Sequence, residues 1–423
     1  MSSPHLSPPT NTPIIIIIGA GSIGLWTAYH LAKSRLSSES IIVLEATPSA
    51  FGATSGTCSG CIHYHFSDPH LIDLGKFSFD LWEDLATDEG FRQAVRWSSR
   101  SLLGLKKGVG SLEGLPGWFK RGRNGDHEWC ADEGFLGFKN ALVDPKGVGT
   151  WLEKACLDLG VQICTSTIVT AAALNDEALV AEVTVSSLDK PDKAIACTSL
   201  ILACGPWTPS VYATLFPNSA LRFDQVLEAG DWLLLRNPHP VAGESTIFVG
   251  LNEFVGSKLE FAGRDDGTIW ICGRKIVTSS SSLPEPGKCA KADTDMASEL
   301  IGRCSEFLGR DDLRAEKKTA SVGLEIVETG RAFRPTSRSG LPLIAKVKPM
   351  ALSESRKGNV FVNWGHGSYG LTLGPVSGRL MAQTVRQDAP DIDLSPFCLP
   401  GETLEVNLGE QIQEKPVECN NKF

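Results

Sequence analysis

Apolar residues gather in short runs separated by glycine- and polar-rich text. Ile14 to Ile18 is an unbroken β-branched run, which predicts a strand buried on both faces. Leu25 to Ser34 carries apolar residues at helical spacing, and Ile41-Ile42-Val43-Leu44 predicts a second buried strand ending on Glu45. Strand, helix and strand make one βαβ unit, which calls for a parallel sheet. Between Asp68 and about Asn140 the text is mixed, with helical spacing from Leu71 to Leu85. Asp144-Pro145-Lys146 offers an N-cap followed by a proline at the first helical position, so a helix is expected to Leu159, stopping at Gly160. Val161-Gln162-Ile163-Cys164 then reads as a strand. Leu200 to Ala203 is another buried strand, running into Cys204-Gly205-Pro206-Trp207.

From Phe223 to Thr278 the period changes to two, as in Asp231 to Leu235 and Thr268 to Cys272, which predicts antiparallel sheet. A Ser/Pro/Gly-rich link, Ser279 to Gly287, precedes a helix around Thr294 to Phe307. Val360-Phe361-Val362 leads into a second glycine-rich loop, and a long apolar helix follows from about Pro375 to Arg386. The order is α/β, mixed, α/β, antiparallel β, α/β. It implies an α/β protein with a Rossmann-like domain assembled from discontinuous segments, 14–66, 141–222 and 320–390. Segments 67–140 and 223–319 would form a substrate domain with a mostly antiparallel sheet, between a disordered leader at 1–13 and a tail at 391–423.

Composition narrows the function classes. The 423 residues are 42% hydrophobic and 21% charged, ordinary for a soluble protein, with a net charge of −9 and no basic run. Nucleic acid is therefore not an expected partner. The Ile14 to Ile18 run is far short of the roughly 20 residues of a membrane span. The leader lacks Arg and Lys, and Asn421-Lys422-Phe423 is not the Ser-Lys-Leu peroxisomal address, so a cytoplasmic location is expected. Twelve scattered cysteines read as reduced thiols rather than a disulfide scaffold.

Gly19-Ala20-Gly21-Ser22-Ile23-Gly24 fills the junction of the first strand and helix. In such a loop Gly19 makes the tight turn, Gly21 lets the backbone approach a pyrophosphate, and Gly24 lets helix and strand pack closely. The amides of Ser22 and Ile23, at the positive end of the helix, would hold phosphates. Glu45 lies 21 residues after Gly24, where a carboxylate accepts ribose hydroxyls and repels a 2′-phosphate. The loop implies a dinucleotide without choosing between FAD and NAD.

The segment Asn363-Trp364-Gly365-His366-Gly367-Ser368-Tyr369-Gly370-Leu371-Thr372 resembles the flavin-binding segment of D-amino-acid oxidases, in a form that glycine and sarcosine oxidases share more loosely. Arg331-Ala332-Phe333-Arg334-Pro335-Thr336 resembles the same family's Gly-x-Arg-Pro segment, with Ala332 where glycine usually stands. Leu142-Val143-Asp144-Pro145 and Leu202 to Trp207 resemble further landmarks, in family order. The resemblance implies FAD, held non-covalently, with Gly365 to Thr372 around the flavin ring. It also implies Thr54, Ser55 and Gly56 beside the flavin and diphosphate, and Ala46, Val169, Ala203, Gly205 and Trp207 in the cofactor set. Arg334 would clamp a substrate carboxylate or touch the flavin; the bland reading pairs it with Glu325 or Glu328.

Other candidates stay open. Cys58 and Cys61 form a CxxC followed by His63 and His65, but no second ligand pair exists to suggest a metal. Either histidine could position substrate at the flavin face, or serve its own loop. His366 more simply supports its own glycine loop. In sarcosine oxidases a lysine over the flavin activates oxygen; Lys258 and Lys275 are candidates here. Trp232, Phe254, Phe261 and Trp270 could line an apolar pocket or belong to sheet core. D-amino-acid oxidases use tyrosines on this sheet, and between Tyr212 and Tyr369 this chain has none. The activity implied is oxidation of a small amine or amino acid by hydride transfer to the flavin, with O2 as acceptor and H2O2 as product. The alternatives are a specialised metabolite as substrate, another electron acceptor, or a non-catalytic flavoprotein.

Overall fold

The structure, a computed structural model, describes residues 13–35, 39–99, 102–108, 116, 118–119, 129–131, 139–177, 179–187, 190–237, 245–250, 258–308, 324–347 and 359–399. Most of 1–13, the 400–423 part of the expected tail, and Phe254 lie outside them.

Strand β1 (Ile14–Ile18) is buried along its whole length, between β2 (Ser40–Leu44) and β11 (Ser199–Leu202), both parallel to it. Outward lie β7 (Gln162–Cys164) on one side, and β18 (Val360–Trp364) then the antiparallel β17 (Leu343–Lys346) on the other, giving the order β17-β18-β11-β1-β2-β7. Two layers explain why the isoleucine run lacks alternation. Ile15 and Ile17 pack with Leu25 and Leu31 of helix α1 (Ser22–Lys33), with α4 (Pro145–Asp158) and with α7 (Gly374–Arg386). Ile14, Ile16 and Ile18 pack with Tyr212 of α5 (Thr208–Leu215) and with Val183 and Val185. Those valines belong to a three-stranded antiparallel sheet of β8 (Thr167–Leu174), β9 (Val180–Ser187) and β10 (Lys190–Ala196).

The second large sheet has the order β16-β12-β15-β14-β13-β4-β5, from β4 (Leu102–Lys107), β5 (Trp129–Ala131), β12 (Gln225–Arg236), β13 (Ser245–Val249), β14 (Leu259–Gly263), β15 (Thr268–Thr278) and β16 (Ile326–Ser337). It is antiparallel except where β13 runs parallel to β4. One face, with Leu233, Ile247, Phe261 and Ile271, is covered by Leu300, Cys304 and Phe307 of α6 (Thr294–Leu308). The opposite face packs Trp232, Trp270, Ala262 and Ala332 against Leu142. Leu142 ends β6 (Asn140–Leu142), which pairs with β3 (Cys61–His63); α2 (Pro69–Leu85) and α3 (Glu89–Val95) instead join the core of the six-stranded sheet through Leu74, Trp82, Phe91 and Val95.

Two expectations need correction. Residues 326–337, assigned from sequence to the cofactor-binding portion, run as the edge strand of the seven-stranded sheet, because β16 pairs with β12 from Gln225↔Ser337 to Leu235↔Ile326. Of the two roles open to Phe261, it takes that of sheet core, fully buried on the α6 face. Helix α1 also starts at Ser22 rather than Leu25, because its first turn faces the glycine loop and carries no apolar stripe. Among the described residues no helix is long and apolar enough to cross a membrane.

Candidate active site

The glycine loop has little room for other residues. Gly19 sits at φ +107°, and a Cβ there would strike the Ala203 carbonyl. A Cβ on Gly24 would strike the carbonyl of Gly19. Gly21 is different: its extended backbone precedes α1, and a Cβ would meet only Ser55 Oγ at 3.0 Å. The Ala20 amide donates to Glu45 Oε2 (2.6 Å), and the Ser22 amide donates to Ser55 Oγ (3.0 Å). Glu45 Oε1 accepts from the amide and hydroxyl of Thr47, both at 2.8 Å. Thr54 Oγ1 donates to the Phe333 carbonyl (2.9 Å), tying the loop after β2 to β16. Val169 is buried on β8, two residues beyond Thr167, whose amide donates to the Glu45 carbonyl (2.8 Å). Ala46 lies under Gly287, and Trp207 donates to the Pro284 carbonyl (2.9 Å), so the 284–287 link covers this end.

The second loop meets the first. Ser22 Oγ donates to the Gly370 carbonyl (2.9 Å). Gly365 (φ +89°) and Gly367 (φ +54°) turn the backbone out of β18, and His366 bridges to Thr336. The His366 ring is buried, with Nε2 2.8 Å from Ser377 Oγ; burial pushes its pKa down to about 3. Its side chain therefore serves the loop and α7. The Thr372 carbonyl accepts from Ser78 Oγ (2.6 Å) and Trp82 Nε1 (3.1 Å). Gly19 to Gly24, Glu45, Thr54 to Gly56 and Gly365 to Thr372 thus converge on one region.

The seven-stranded sheet turns a charged face toward it. Arg334 is the register partner of Glu228, and Gly230 follows on the same face. A Cβ on Gly230 would meet Arg334 Nη1 at 2.7 Å, so the guanidinium lies over the glycine. Arg334 Nη1 is buried without a hydrogen-bond partner. The bland pairing does not occur: Glu328 pairs with Lys146 (2.9 Å) and Glu325 lies 3.9 Å from Arg236. Lys275 Nζ instead holds Glu228 Oε2 at 2.7 Å; burial lowers the lysine pKa, aided by the charge of Arg334. Lys258 Nζ stands 4.8 Å from the Phe248 ring centre. Cys272, near Glu260, is pushed up to about 12 by burial. Trp270 Nε1 donates to the Thr57 carbonyl (2.9 Å), closing this face against the loop of Cys58, pushed up by burial to about 11, and Cys61, to about 12.

His63 meets Tyr369 edge to face at 5.7 Å, and burial pushes its pKa down to about 4. His65 stacks on Tyr64 at 4.2 Å instead, its pKa also lowered by burial. Glu228 and Glu260 escaped the sequence reading. Their only signal was an acid at a period-two position in strand text.

The residues present fit FAD. The first-turn amides of α1 lack intrahelical acceptors, and the loop glycines leave backbone bare. Gly205, at φ +55°, has open space where a side chain would stand. Arg334 Nη1 is left without a hydrogen-bond partner, and a second glycine loop meets the first where Ser22 Oγ donates to the Gly370 carbonyl. Together the fold and this site define a flavin-dependent oxidoreductase. The family model for DAO, the FAD dependent oxidoreductases, matches residues 15–384, and the chain belongs to that family.

Its relatives are distant. A Schizosaccharomyces pombe protein named as an oxidoreductase is 23% identical over 411 residues, 90% of this chain and 96% of the relative. Mouse peroxisomal sarcosine oxidase is 29% identical over 206 residues, 46% of this chain and 50% of that enzyme. Glycine oxidase from Geobacillus kaustophilus superposes with a TM-score of 0.65 at 18% identity, covering 92% of this chain and 99% of that one. L-Amino acid deaminase from Proteus myxofaciens, solved with anthranilate, gives 0.66 at 17%, covering 93% and 94%. At these identities the structures establish the shared fold.

Proposed function

We propose that this enzyme oxidises the C–N bond of a small amine or amino acid that carries a carboxylate, with O2 as the final electron acceptor and H2O2 as a product. The observation that carries the reading is the half-buried Arg334 side chain, whose Nη1 is buried without a hydrogen-bond partner. A buried guanidinium N–H without an acceptor is costly, and a bidentate carboxylate satisfies it in its own plane. Bound FAD supplies the two-electron acceptor for a hydride at N5. The protein orients the substrate, excludes water and matches charge. Gly19, Gly21 to Gly24, Glu45, Ala46, Thr54 to Gly56, Val169, Ala203, Gly205, Trp207 and Gly365 to Thr372 make up the cofactor cradle in this reading. His63 stays neutral beside Tyr369 as part of the pocket wall. His65, stacked on Tyr64, is given no substrate role. Segments 14–66 and 141–222 go with the cofactor, and β16 brings Arg334 from the other sheet.

The test is spectroscopic. Purified protein should be yellow, lose its long-wavelength absorbance anaerobically with a carboxylate-bearing amine or amino acid, and produce H2O2 when air is admitted. A yellow protein that no member of a broad amine and amino-acid panel bleaches overturns the substrate assignment. Bleaching without H2O2 on aeration overturns the assignment of O2 and points to another acceptor.

A further inference from the structure

Resting on that reading, we infer that Glu228 is the counter-charge for the substrate's ammonium group and so the residue that selects amino acids over simple carboxylates. Glu228 and Arg334 are direct register partners on β12 and β16. Partners on antiparallel strands stand about 5 Å apart at Cα. An α-amino acid holds its nitrogen only about 2.5 Å from its carboxylate carbon. A ligand whose carboxylate engages Arg334 therefore brings its ammonium within reach of the opposing side chain, which here is an acid.

The Glu228 carboxylate is placed for that task. Lys275 engages Oε2 at 2.7 Å, and Oε1 has no hydrogen-bond partner among the described residues. The side chain is about a quarter exposed, so it is not sealed within the sheet. Burial, and then the charges of Glu228 and Glu260, raise the Tyr369 pKa, so the Glu228 charge is felt at the flavin loop. A carboxylate has several acceptor positions, so Glu228 takes the ammonium at Oε1 while Lys275 keeps Oε2 in place. Lys275 is then a positioning residue for Glu228. Lys258, Glu260 and Cys272 share this face, but only Glu228 stands opposite Arg334.

The experiment compares paired ligands on the FAD-loaded enzyme. Perturbation of the flavin spectrum gives Kd for acetate and propanoate, which lack the amine. Anaerobic titration with glycine, sarcosine and both alanine enantiomers gives binding and reduction. Glu228→Gln, nearly isosteric, should weaken the amino acids at least tenfold while changing the plain carboxylates less than twofold. Glu228→Asp should recover part of the loss, and it covers the case in which the glutamine variant does not fold. Lys275→Met should keep the preference for amino acids, since the anion remains.

Equal weakening of both ligand sets by Glu228→Gln, or the same loss of discrimination in Lys275→Met, overturns the assignment in favour of a structural ion pair. No change in discrimination overturns it as well. Failure of the wild type to engage any amino acid overturns the proposed substrate class first, and this inference falls with it.

Discussion

Asp231 and Arg331 face each other across β12 and β16 and form a two-point ion pair, Oδ1 to Nε at 2.7 Å and Oδ2 to Nη2 at 3.1 Å. Asp231 is 2% exposed, and the pair lies on the α6 side, where the Asp293 amide also donates to Asp231. Side chains alternate between faces along a strand, so this pair points away from the site while Arg334, three residues on, points into it. Its geometry fixes the register that sets Arg334 opposite Glu228. Removing Asp231 leaves Arg331, 17% exposed, with only Asp293 at 3.9 Å as a counter-charge, a loss of about 1–3 kcal/mol. Asp231→Ala should therefore lower stability by that order in chemical denaturation. A loss below about 1 kcal/mol would show that the strand pairing alone sets the register.

The loop glycines separate folding from cofactor binding. A Cβ on Gly24 meets backbone, the carbonyl of Gly19, which cannot move without opening the strand–helix junction. One on Gly21 meets only the end of the Ser55 side chain at 3.0 Å. Gly24→Ala should give little soluble folded protein. Gly21→Ala should fold with wild-type far-ultraviolet dichroism yet retain less flavin, read as the ratio of visible to 280 nm absorbance, because the added methyl stands where a pyrophosphate must approach. Full flavin occupancy in the Gly21 variant would mean that the diphosphate lies elsewhere.

These glycines also mark what the sequence makes legible. The first βαβ unit depends on neighbours within about thirty residues, so the β-branched run of Ile14 to Ile18, the glycine spacing and Glu45 identify it locally. Strands β8 to β10 escaped because several of their residues face solvent, as in Thr167–Leu174, and their period is broken by bulges. Membership of β16 in the larger sheet is a tertiary fact: its partner β12 lies about a hundred residues earlier. Arg334 could be named from its Arg-Pro setting, whereas Glu228 becomes meaningful only once the register is known. The fate of Glu325 and Glu328 was equally hidden, because each meets its cation across elements distant in sequence.

Arg334 should divide affinity from cofactor content. Its guanidinium rests on Gly230, and Thr54 holds β16 through the carbonyl of the residue before it. Neither contact depends on the arginine charge. Arg334→Ala should leave FAD content near wild type and raise KM for carboxylate-bearing substrates about 100-fold, the scale of a lost bidentate charge-assisted contact. Arg334→Lys should recover only part, since one ammonium does not reproduce the planar fork. Loss of flavin in the alanine variant would move the residue from substrate binding to the cofactor.

The buried histidines predict how acid acts on the protein. His366 is held neutral by burial, its pKa pushed down to about 3 from an ordinary value near 6.5, and its ring joins the flavin loop to α7 through Ser377. The unfolded chain binds a proton at this residue below about pH 6.5, and the folded chain does not until near pH 3. Stability from this group is therefore complete above 6.5 and falls as the pH drops through the window between those values. From pH 8 to pH 5 the loss is about 2 kcal/mol for one such histidine, and it depends only on the folded pKa lying well below 5. His30 and His63, lowered by burial to about 3 and about 4, act in the same direction. His366→Asn should lower stability at pH 8, because the bond to Ser377 is strained or lost, yet flatten the decline toward pH 5 by about 2 kcal/mol. Free flavin fluorescence should rise along the same pH range in the wild type, since the loop that opens is one that faces the cofactor. A variant as acid-sensitive as the wild type would place the proton uptake at other groups.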